Sequence, residues 1–216
     1  MRQIKPSRNY WLAHRSVRPL SSKFGFDRGT PIDRYWIESF LSKHHQDIQG
    51  RCLEVTDSKY TTQFGQHIIK SDILDINPKN KLATIHGDLR HLPKVKSNTY
   101  DCIILTQVLG LIDDYESAIG ECRRILKPEG ILLVTMASLC PTFYEEGSFW
   151  RLTTASAKFV FKKYFKPQNL LIQGYGNILT GQCFWVGMCQ EELTKKELEY
   201  YDPSYTCLVS IRAVKD

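Results

Sequence analysis

From about residue 30 onward, short apolar segments alternate along the chain with segments whose apolar residues recur at helical spacing. The short segments are rich in β-branched residues and apolar at consecutive positions, which is typical of strands covered on both faces. They predict strands at 51–55, 68–76, 82–86, 101–106 and 130–136, followed by strands near 170–173 and at 207–214.

The intervening segments carry helix signals. Thr30 and Pro31, an N-cap and a proline for the first helical position, precede apolar residues at helical spacing and predict a helix over 31–44. Similar signals predict helices at 115–126 and 154–165, a turn or two near 61–66, a helical stretch from Gly181 and a short helix after Thr194. Alternating strands and helices predict an α/β fold with a doubly wound, mostly parallel sheet. Such sheets bind ligands at the carboxyl ends of their strands.

Length and composition predict one globular domain. With 216 residues and 42% hydrophobic content, the chain is too short for two ordinary domains, and no apolar run approaches the ~20 residues of a membrane span. The N-terminus lacks the apolar segment of a secretory signal, although its arginines resemble those of an organellar transit peptide. Seven cysteines without a C-x-x-C pair predict reduced thiols in a cytoplasmic protein, and the histidine spacing supports no metal site.

The excess positive charge lies in one segment. The first 30 residues contain seven Lys/Arg and one acid, whereas the remaining residues contain 22 of each sign. We therefore divide the chain into a basic N-terminal arm, 1–29, and a domain, 30–216. The arm either contacts an anionic partner or is a solvated tail, and its aromatic residues Tyr10 and Trp11 leave both interpretations open.

Three acidic residues lie at predicted strand ends. Glu54 ends the first strand, Asp75 ends the second 21 residues later, and Asp88 follows the third. The spacing of the first two is close to that at which an acid binds a ribose diol. Each acid alone could equally be a turn former, but three in register indicate a nucleoside site.

Four segments, "LDINP", "HGDLRHLP", "NTYDCIILTQVLGLIDDYESAI" and "CRRILKPEGILLVT", resemble in order the motifs of the class I S-adenosylmethionine-dependent methyltransferases. The segments "FGFDRGTPIDRYWIESFL", "RCLEVTDSKYTTQFG" and "FWRLTTASA" resemble a branch linked with glycosyltransferases and polysaccharide assembly. The resemblance implies a Rossmann-like seven-stranded sheet with an antiparallel last strand, and S-adenosylmethionine as cofactor. The residues it implies for the cofactor are Glu54, Thr56, Asp57, Asp75, Ile76, Asp88, Leu89, Thr106 and Gln107.

The turn after the first strand departs from this family. The three glycine positions of the usual cofactor loop are occupied by Thr56, Ser58 and Tyr60, and the crossover to the next strand is short. Asp57 and Ser58 can still shape a turn that presents backbone amides to a carboxylate. Tyr60 either stacks on the cofactor or covers the sheet, and the second role is the commoner one for an aromatic residue. Either this loop binds the cofactor with other residues than the usual glycines, or it no longer binds the cofactor.

The resemblance places the acceptor pocket after the fifth strand. Arg28, Tyr144, Trp150 and Arg151 are therefore the candidates for binding an acceptor, with the aromatic residues suited to a sugar or another ring. An alternative is that this loop packs on the first helix. Asp27–Arg28 and Asp33–Arg34 are either a lid over the cofactor or a salt-bridged helix start.

We therefore expect a methyltransferase that acts on an oxygen of a glycan or small-molecule acceptor, with association with a glycosyltransferase as an implied partner. Asp113, Glu145, Glu146 and His86 are candidate bases, and the sequence ranks none of them above the others. The rival interpretations are a non-catalytic scaffold that binds a partner protein, and a nicotinamide-dependent oxidoreductase. The second is weaker, because its pyrophosphate depends more heavily on a glycine-rich turn.

Overall fold

The computed structural model describes residues 16–142 and 147–216, which form one seven-stranded sheet in the order β3-β2-β1-β4-β5-β7-β6. The strands are β1 (Gly50–Val55), β2 (Ile68–Asp75), β3 (Ile85–His86), β4 (Tyr100–Thr106), β5 (Leu126–Ala137), β6 (Leu170–Tyr175) and β7 (Leu208–Val214). The first five pair in parallel, and β7 runs antiparallel to both β5 and β6. The predicted fold class, including the antiparallel last strand, is confirmed.

Six α-helices connect the strands within the described ranges: α1 (Ile32–Lys43), α2 (Lys59–Phe64), α3 (Tyr115–Ile125), α4 (Thr154–Phe161), α5 (Ile178–Val186) and α6 (Lys195–Glu199). Side chains cap four of them: Asp114 accepts from Ser117 before α3, and Thr153, Asn177 and Thr194 form capping boxes before α4, α5 and α6. Such caps bind amides that a helix leaves unpaired, so they set where these helices begin.

The sheet buries a hydrophobic cluster on each face. Consecutive strand residues point to opposite faces, so Leu53 of β1 lies in the cluster beneath α3 and α4, while Cys52 lies in the cluster beneath α1 and α5. Trp36 anchors α1 in the second cluster, where its indole N–H donates to the backbone oxygen of Leu198 over 2.8 Å. Burial on both faces explains why the central residues of these strands, such as residues 102–105 of β4, are apolar at consecutive positions.

Several boundaries differ from the prediction. Leu82 is 63% exposed, and β3 is only the pair Ile85–His86. β5 begins at Leu126 instead of residue 130, and its register against β4 shifts near Tyr100 to accommodate the extra residues. Helix α5 begins three residues before Gly181, because Asn177 caps it.

The segment 20–31 packs along the end of α5 and the loop that follows it. The amides of Leu20 and Ser21 both donate to the backbone oxygen of Val186, and Thr30 and Gln190 join the two segments through a backbone bond of 2.8 Å. Gly187 has φ +79°, and a Cβ there would meet Ser21. These contacts bring 24–34 over the carboxyl ends of β4 and β5. No helix in the described parts of the chain is long and apolar enough to cross a membrane.

Candidate cofactor and acceptor site

The carboxyl ends of β1, β2 and β3 lie side by side. Val55 pairs with Leu74 and Asp75 pairs with His86, so the ends of these three strands fall in register. The residues of β1, β2 and β3 that the sequence proposes for a cofactor therefore lie at the same end of the sheet.

Thr56, the first residue after β1, has φ +75°. Its amide donates to the Leu74 backbone oxygen over 2.9 Å, which holds the turn in this conformation. A β-branched residue at positive φ is an outlier, whereas glycine adopts such a conformation without cost. Thr56 thus occupies a glycine-type backbone conformation at the first of the three glycine positions.

Glu54 holds the start of α2. Its carboxylate is 4% exposed and accepts from the amides of Tyr60 and Thr61, at 3.0 and 2.8 Å, and from the Thr61 hydroxyl at 2.9 Å. Burial raises the pKa of Glu54, although the three hydrogen bonds act in the opposite direction. Both oxygens have partners within the protein, so a role in cofactor binding for this residue stays a prediction.

The turn between β1 and α2 retains two backbone amides. The Asp57 carboxylate accepts from the Lys59 amide over 2.8 Å. The backbone amides of Asp57 and Ser58 themselves have no hydrogen-bond partner in the described part of the chain. Tyr60 is buried, stacks on Phe64 and accepts from an Arg34 guanidinium nitrogen over 3.3 Å. It therefore packs between the sheet and α1.

Asp75 lies between two asparagines. It accepts from the Asn77 amide and from the Asn80 side chain, at 2.8 and 2.7 Å, and the same Asn80 amide group donates to the Thr56 oxygen over 2.7 Å. The next residue, Ile76, is 70% exposed. Both oxygens of the Asp75 carboxylate therefore have partners within the protein, and the carboxylate lies beside an exposed apolar side chain.

Asp88 forms an ion pair with Arg90, which contacts both carboxylate oxygens and also reaches Asp113 over 2.6 Å. Arg90 and its hydrogen bonds lower the pKa of Asp88. Leu89 is buried in the core beneath this loop. Asp88 can accept a hydrogen bond from the exocyclic amine of an adenine only if its carboxylate also keeps Arg90 or releases it.

Beyond the end of β4, Thr106 is half-buried and Gln107 has φ +59°. The Gln107 amide donates to the backbone oxygen of Thr135 over 2.9 Å, and its side chain donates to Asp33 over 3.2 Å. Asp33 is 9% exposed, and burial raises its pKa, although Arg34 and Gln107 act in the opposite direction. Gln107 thus joins the end of β4 to the first turn of α1.

A cavity of about 250 Å³ lies over the ends of β4 and β5. It is mainly apolar, and its charged lining groups are Asp33, Arg34 and Arg151. The remaining lining residues are Phe24, Phe26, Pro31, Gln107, Gly110, Leu111, Ala137, Cys140, Pro141, Ser148, Trp150 and Phe184. The cavity therefore lies next to the end of β1, which pairs with β4, and it contains one buried carboxyl group.

Residues 43–134 match the family model for a methyltransferase domain. Solved structures share the overall fold at low identity. A SAM-dependent methyltransferase from Archaeoglobus fulgidus superposes with a TM-score of 0.56 at 12% identity, over 84% of this chain and 94% of that one. The YcgJ protein from Bacillus subtilis superposes at 0.55 and 11% identity, over 84% and 98% of the two chains. The chain has the class I methyltransferase fold.

A third structure, a SAM-dependent methyltransferase from Thermotoga maritima, shares this methyltransferase fold with a TM-score of 0.52 at 18% identity, over 85% of this chain and 94% of that one. No curated protein matches the sequence.

Two of the four predicted acceptor residues line the cavity of this methyltransferase fold. Trp150 contacts Tyr115, with ring centroids 5.1 Å apart, and its indole N–H donates to the Asp113 backbone oxygen over 2.8 Å, so it packs on the start of α3. Arg151 donates to the Ser148 hydroxyl over 2.8 Å. Arg28 forms an ion pair with Glu192 outside the cavity. Tyr144, the fourth, lies outside the described residues.

The candidate bases are distributed differently from the prediction. Asp113 is exposed and paired with Arg90, and His86 is exposed with its ring nitrogen 3.2 Å from the Asn80 oxygen. Glu145 and Glu146 lie outside the described ranges. Asp33, which sequence reasoning interpreted as part of a lid or a salt-bridged helix start, is the carboxyl group that lines the cavity. Its separation of 74 residues from Gln107 leaves no local sequence signal of that contact.

Within 16–142 and 147–216, no group of three or more His, Cys, Asp or Glu side chains could hold a metal ion.

Proposed function

We propose that the protein is an S-adenosylmethionine-dependent methyltransferase that methylates a hydroxyl oxygen of a glycan or another small, ring-containing acceptor. The observation that carries this proposal is the adjacency of two features in a methyltransferase fold. The ends of β1 and β2, which carry proposed cofactor residues, lie beside the end of β4, over which a largely apolar cavity contains a buried carboxyl group.

The donor set fits the cofactor. Asp75 would accept from the ribose hydroxyls, the exposed side chain of Ile76 would cover one face of the adenine, and the amides of Asp57 and Ser58 would meet the amino-acid carboxylate. Glu54, Thr56, Asp88, Leu89, Thr106 and Gln107 complete the proposed cofactor residues. The cofactor supplies an electrophilic methyl group on a sulfonium.

The cavity would hold the acceptor. Trp150 and the two phenylalanines of 24–26 provide apolar walls for a ring, and Arg151 provides hydrogen-bond donors beside them. Tyr144 and Arg28 remain proposed acceptor residues. Asp33 would accept the proton that an attacking hydroxyl must lose, since its raised pKa brings a carboxylate closer to the range of a useful base. Low water content around it would strengthen this interaction.

The basic arm, 1–29, is proposed to bind an anionic partner, and a glycosyltransferase is a proposed partner of the domain. Both proposals rest on the sequence. A cytoplasmic location is proposed on the cysteine content alone.

A second function, a non-catalytic scaffold, is favoured by a specific observation. Glu54, Asp75 and Asp88 already have protein partners for their carboxylate oxygens, and Thr56 replaces glycine in the first turn. A scaffold would bind neither S-adenosylmethionine nor its demethylated product.

The experiment that tests the proposal measures transfer of a labelled methyl group from S-adenosylmethionine to panels of sugars, phenols and amines. Label in a hydroxyl acceptor that is lost in Asp33→Asn supports the proposal. If only amines are labelled, the acceptor atom is nitrogen and the proposed oxygen acceptor is wrong. If the protein binds the cofactor but transfers no methyl group to any acceptor, the proposal of catalysis is contradicted and a binding role is favoured.

A further inference from the structure

The edge strand β6 lies in a part of the chain that has basic residues and no acidic ones. Residues 147–190 contain Arg151 and four lysines but no aspartate or glutamate, whereas the domain outside this stretch contains an excess of acids. The lysines are Lys158, Lys162, Lys163 and Lys166, on or just after α4. This local charge is hidden in the balanced total of the domain.

A groove runs between α4 and β6. It encloses about 310 Å³ and is lined by Lys158, Lys162, Pro167, Leu170, Leu171 and Ile172. Lys163 pairs with Glu116 and Lys166 pairs with Asp216, but neither lysine of the groove has a carboxylate partner among the described residues. The groove thus has an apolar floor and two uncompensated positive charges.

The other face of the same strand is also basic. A shallow pocket there is lined by Leu171, Lys43, His44, Gln46, Asp47 and Arg212. Asp47 is bound by Arg212 at 2.6 Å, which leaves Lys43 without a carboxylate partner in the described ranges. Positive charge therefore flanks the first half of β6 above and below the sheet.

The outer edge of β6 is available for pairing. β6 pairs only with β7 in the described sheet, and its sequence LLIQGY contains no charge and no proline. Terminal strands usually carry such residues, or a cover, because their unpaired backbone groups recruit other strands. The lysines lie beside the strand and not on it, so they leave the backbone edge unblocked.

We propose that the β6 edge binds an acidic, extended segment of a partner protein, which adds to the sheet as an eighth strand. Backbone hydrogen bonds to β6 would hold the segment, while its carboxylates meet Lys158 and Lys162 on one face and Lys43 on the other. A second copy of this chain is a poorer occupant, since pairing β6 with β6 would bring the same lysines together. The basic arm, 1–29, is unsuitable for the same reason.

This surface is separate from the cavity. Ala213 of β7 pairs with Leu170 of β6 on one side and with Leu132 of β5 on the other. The groove therefore lies level with the beginning of the segment of β5 that pairs with β4, whereas the cavity lies over the carboxyl end of β5. Binding there is independent of methyl transfer.

The test uses the full chain and a labelled peptide of sequence Glu-Glu-Val-Val-Glu-Glu, six residues long to match β6 and with glutamates on both faces of the added strand. Fluorescence anisotropy should detect binding that Lys158→Glu/Lys162→Glu weakens by about tenfold. The matched control, Lys195→Glu/Lys196→Glu, reverses two exposed lysines on α6 and should leave binding unchanged. A peptide with N-methylated backbone amides should not bind, because it cannot complete a strand ladder.

Equal binding of the N-methylated peptide, or equal loss in the α6 control, would overturn the proposal in favour of non-specific charge attraction. Binding of phosphatidylserine vesicles but not of the peptide, lost in Lys158→Glu/Lys162→Glu, would assign the surface to a membrane and also overturn it. Should the charge reversal unfold the domain, Lys158→Gln/Lys162→Gln provides the same comparison with a smaller expected loss.

Discussion

Gln107 donates its side-chain amide to the buried carboxyl group of Asp33 over 3.2 Å, and both residues line the cavity. This hydrogen bond joins the end of β4 to the first turn of α1. It holds a titratable group in an apolar wall, where burial raises the pKa of Asp33. The predictions about catalysis begin from this pair.

Asp33→Asn should lower kcat by about a hundredfold or more, since general-base catalysis contributes on that order. Asparagine still accepts the Gln107 hydrogen bond, so the affinity for the cofactor and the KM for the acceptor should change little. In the parent protein, kcat should rise with pH through the raised pKa of Asp33, and this rise should be missing from the variant. A parallel loss of cofactor affinity would assign Asp33 a structural role instead.

The same substitution has a predictable effect on stability. A raised pKa means that folded Asp33 keeps its proton at pH values where the unfolded chain, with a pKa near 3.8, has released it. Its contribution to the free energy of unfolding is therefore fully present below that value and declines as pH rises through the folded pKa. Asp33→Asn should remove this decline and gain stability relative to the parent at neutral pH. Denaturant titrations across the acid range would check the sign.

Thr56→Gly should stabilise the protein by about 0.5–1 kcal/mol, because glycine removes the cost of positive φ at this turn. Thr62→Gly is the matched control, since Thr62 lies within α2 and the lower helix propensity of glycine should cost about 0.3 kcal/mol there. Urea unfolding measures both changes. Equal destabilisation by the two substitutions would show that the turn holds no backbone strain.

Glu54→Gln should destabilise the protein by about 1–3 kcal/mol, since the amide nitrogen of glutamine cannot accept the hydrogen bonds that Glu54 receives at α2. The control Glu38→Gln alters a partly exposed partner of Lys59 and should change stability by about 0.5 kcal/mol or less. Chemical denaturation of both variants makes the comparison. A small change in stability on Glu54→Gln would contradict this structural role and would favour a direct role of Glu54 in cofactor binding.

The strand pattern was predictable because both faces of the sheet are covered, which makes the central residues of β1 and β4 apolar at consecutive positions. The order of acids at the strand ends followed from the same pattern. The start of α5 was misplaced because Asn177 and Thr180, which form its capping box, were not interpreted as an N-cap signal. Contacts between distant segments, such as those of Asp33 with Gln107, have no periodicity and were therefore missed.

Deletion of residues 1–22 should lower thermal stability measurably more than deletion of residues 1–15 does. The longer deletion removes Ser21, which is 6% exposed, binds Asp27 and accepts from the amides of Lys23 and Gly25. Loss of these bonds should cost on the order of 1–3 kcal/mol. Thermal melts of the two truncated proteins provide the test, and equal melting temperatures would mean that this segment contributes nothing to folding.

The central claim is that this methyltransferase fold binds S-adenosylmethionine at Asp75, without the usual glycines. Calorimetric titration with the demethylated product, S-adenosylhomocysteine, tests it most directly. Asp75→Ala should weaken binding by about one to two decades, because it removes a charge-assisted hydrogen bond of about 1.5–3 kcal/mol. Asp202→Ala, which likewise removes an aspartate that accepts from an amide two residues on, should have no effect on affinity. Absence of heat and of any thermal shift would contradict the claim and favour the scaffold, and binding unaffected by Asp75→Ala would contradict the placement of the site.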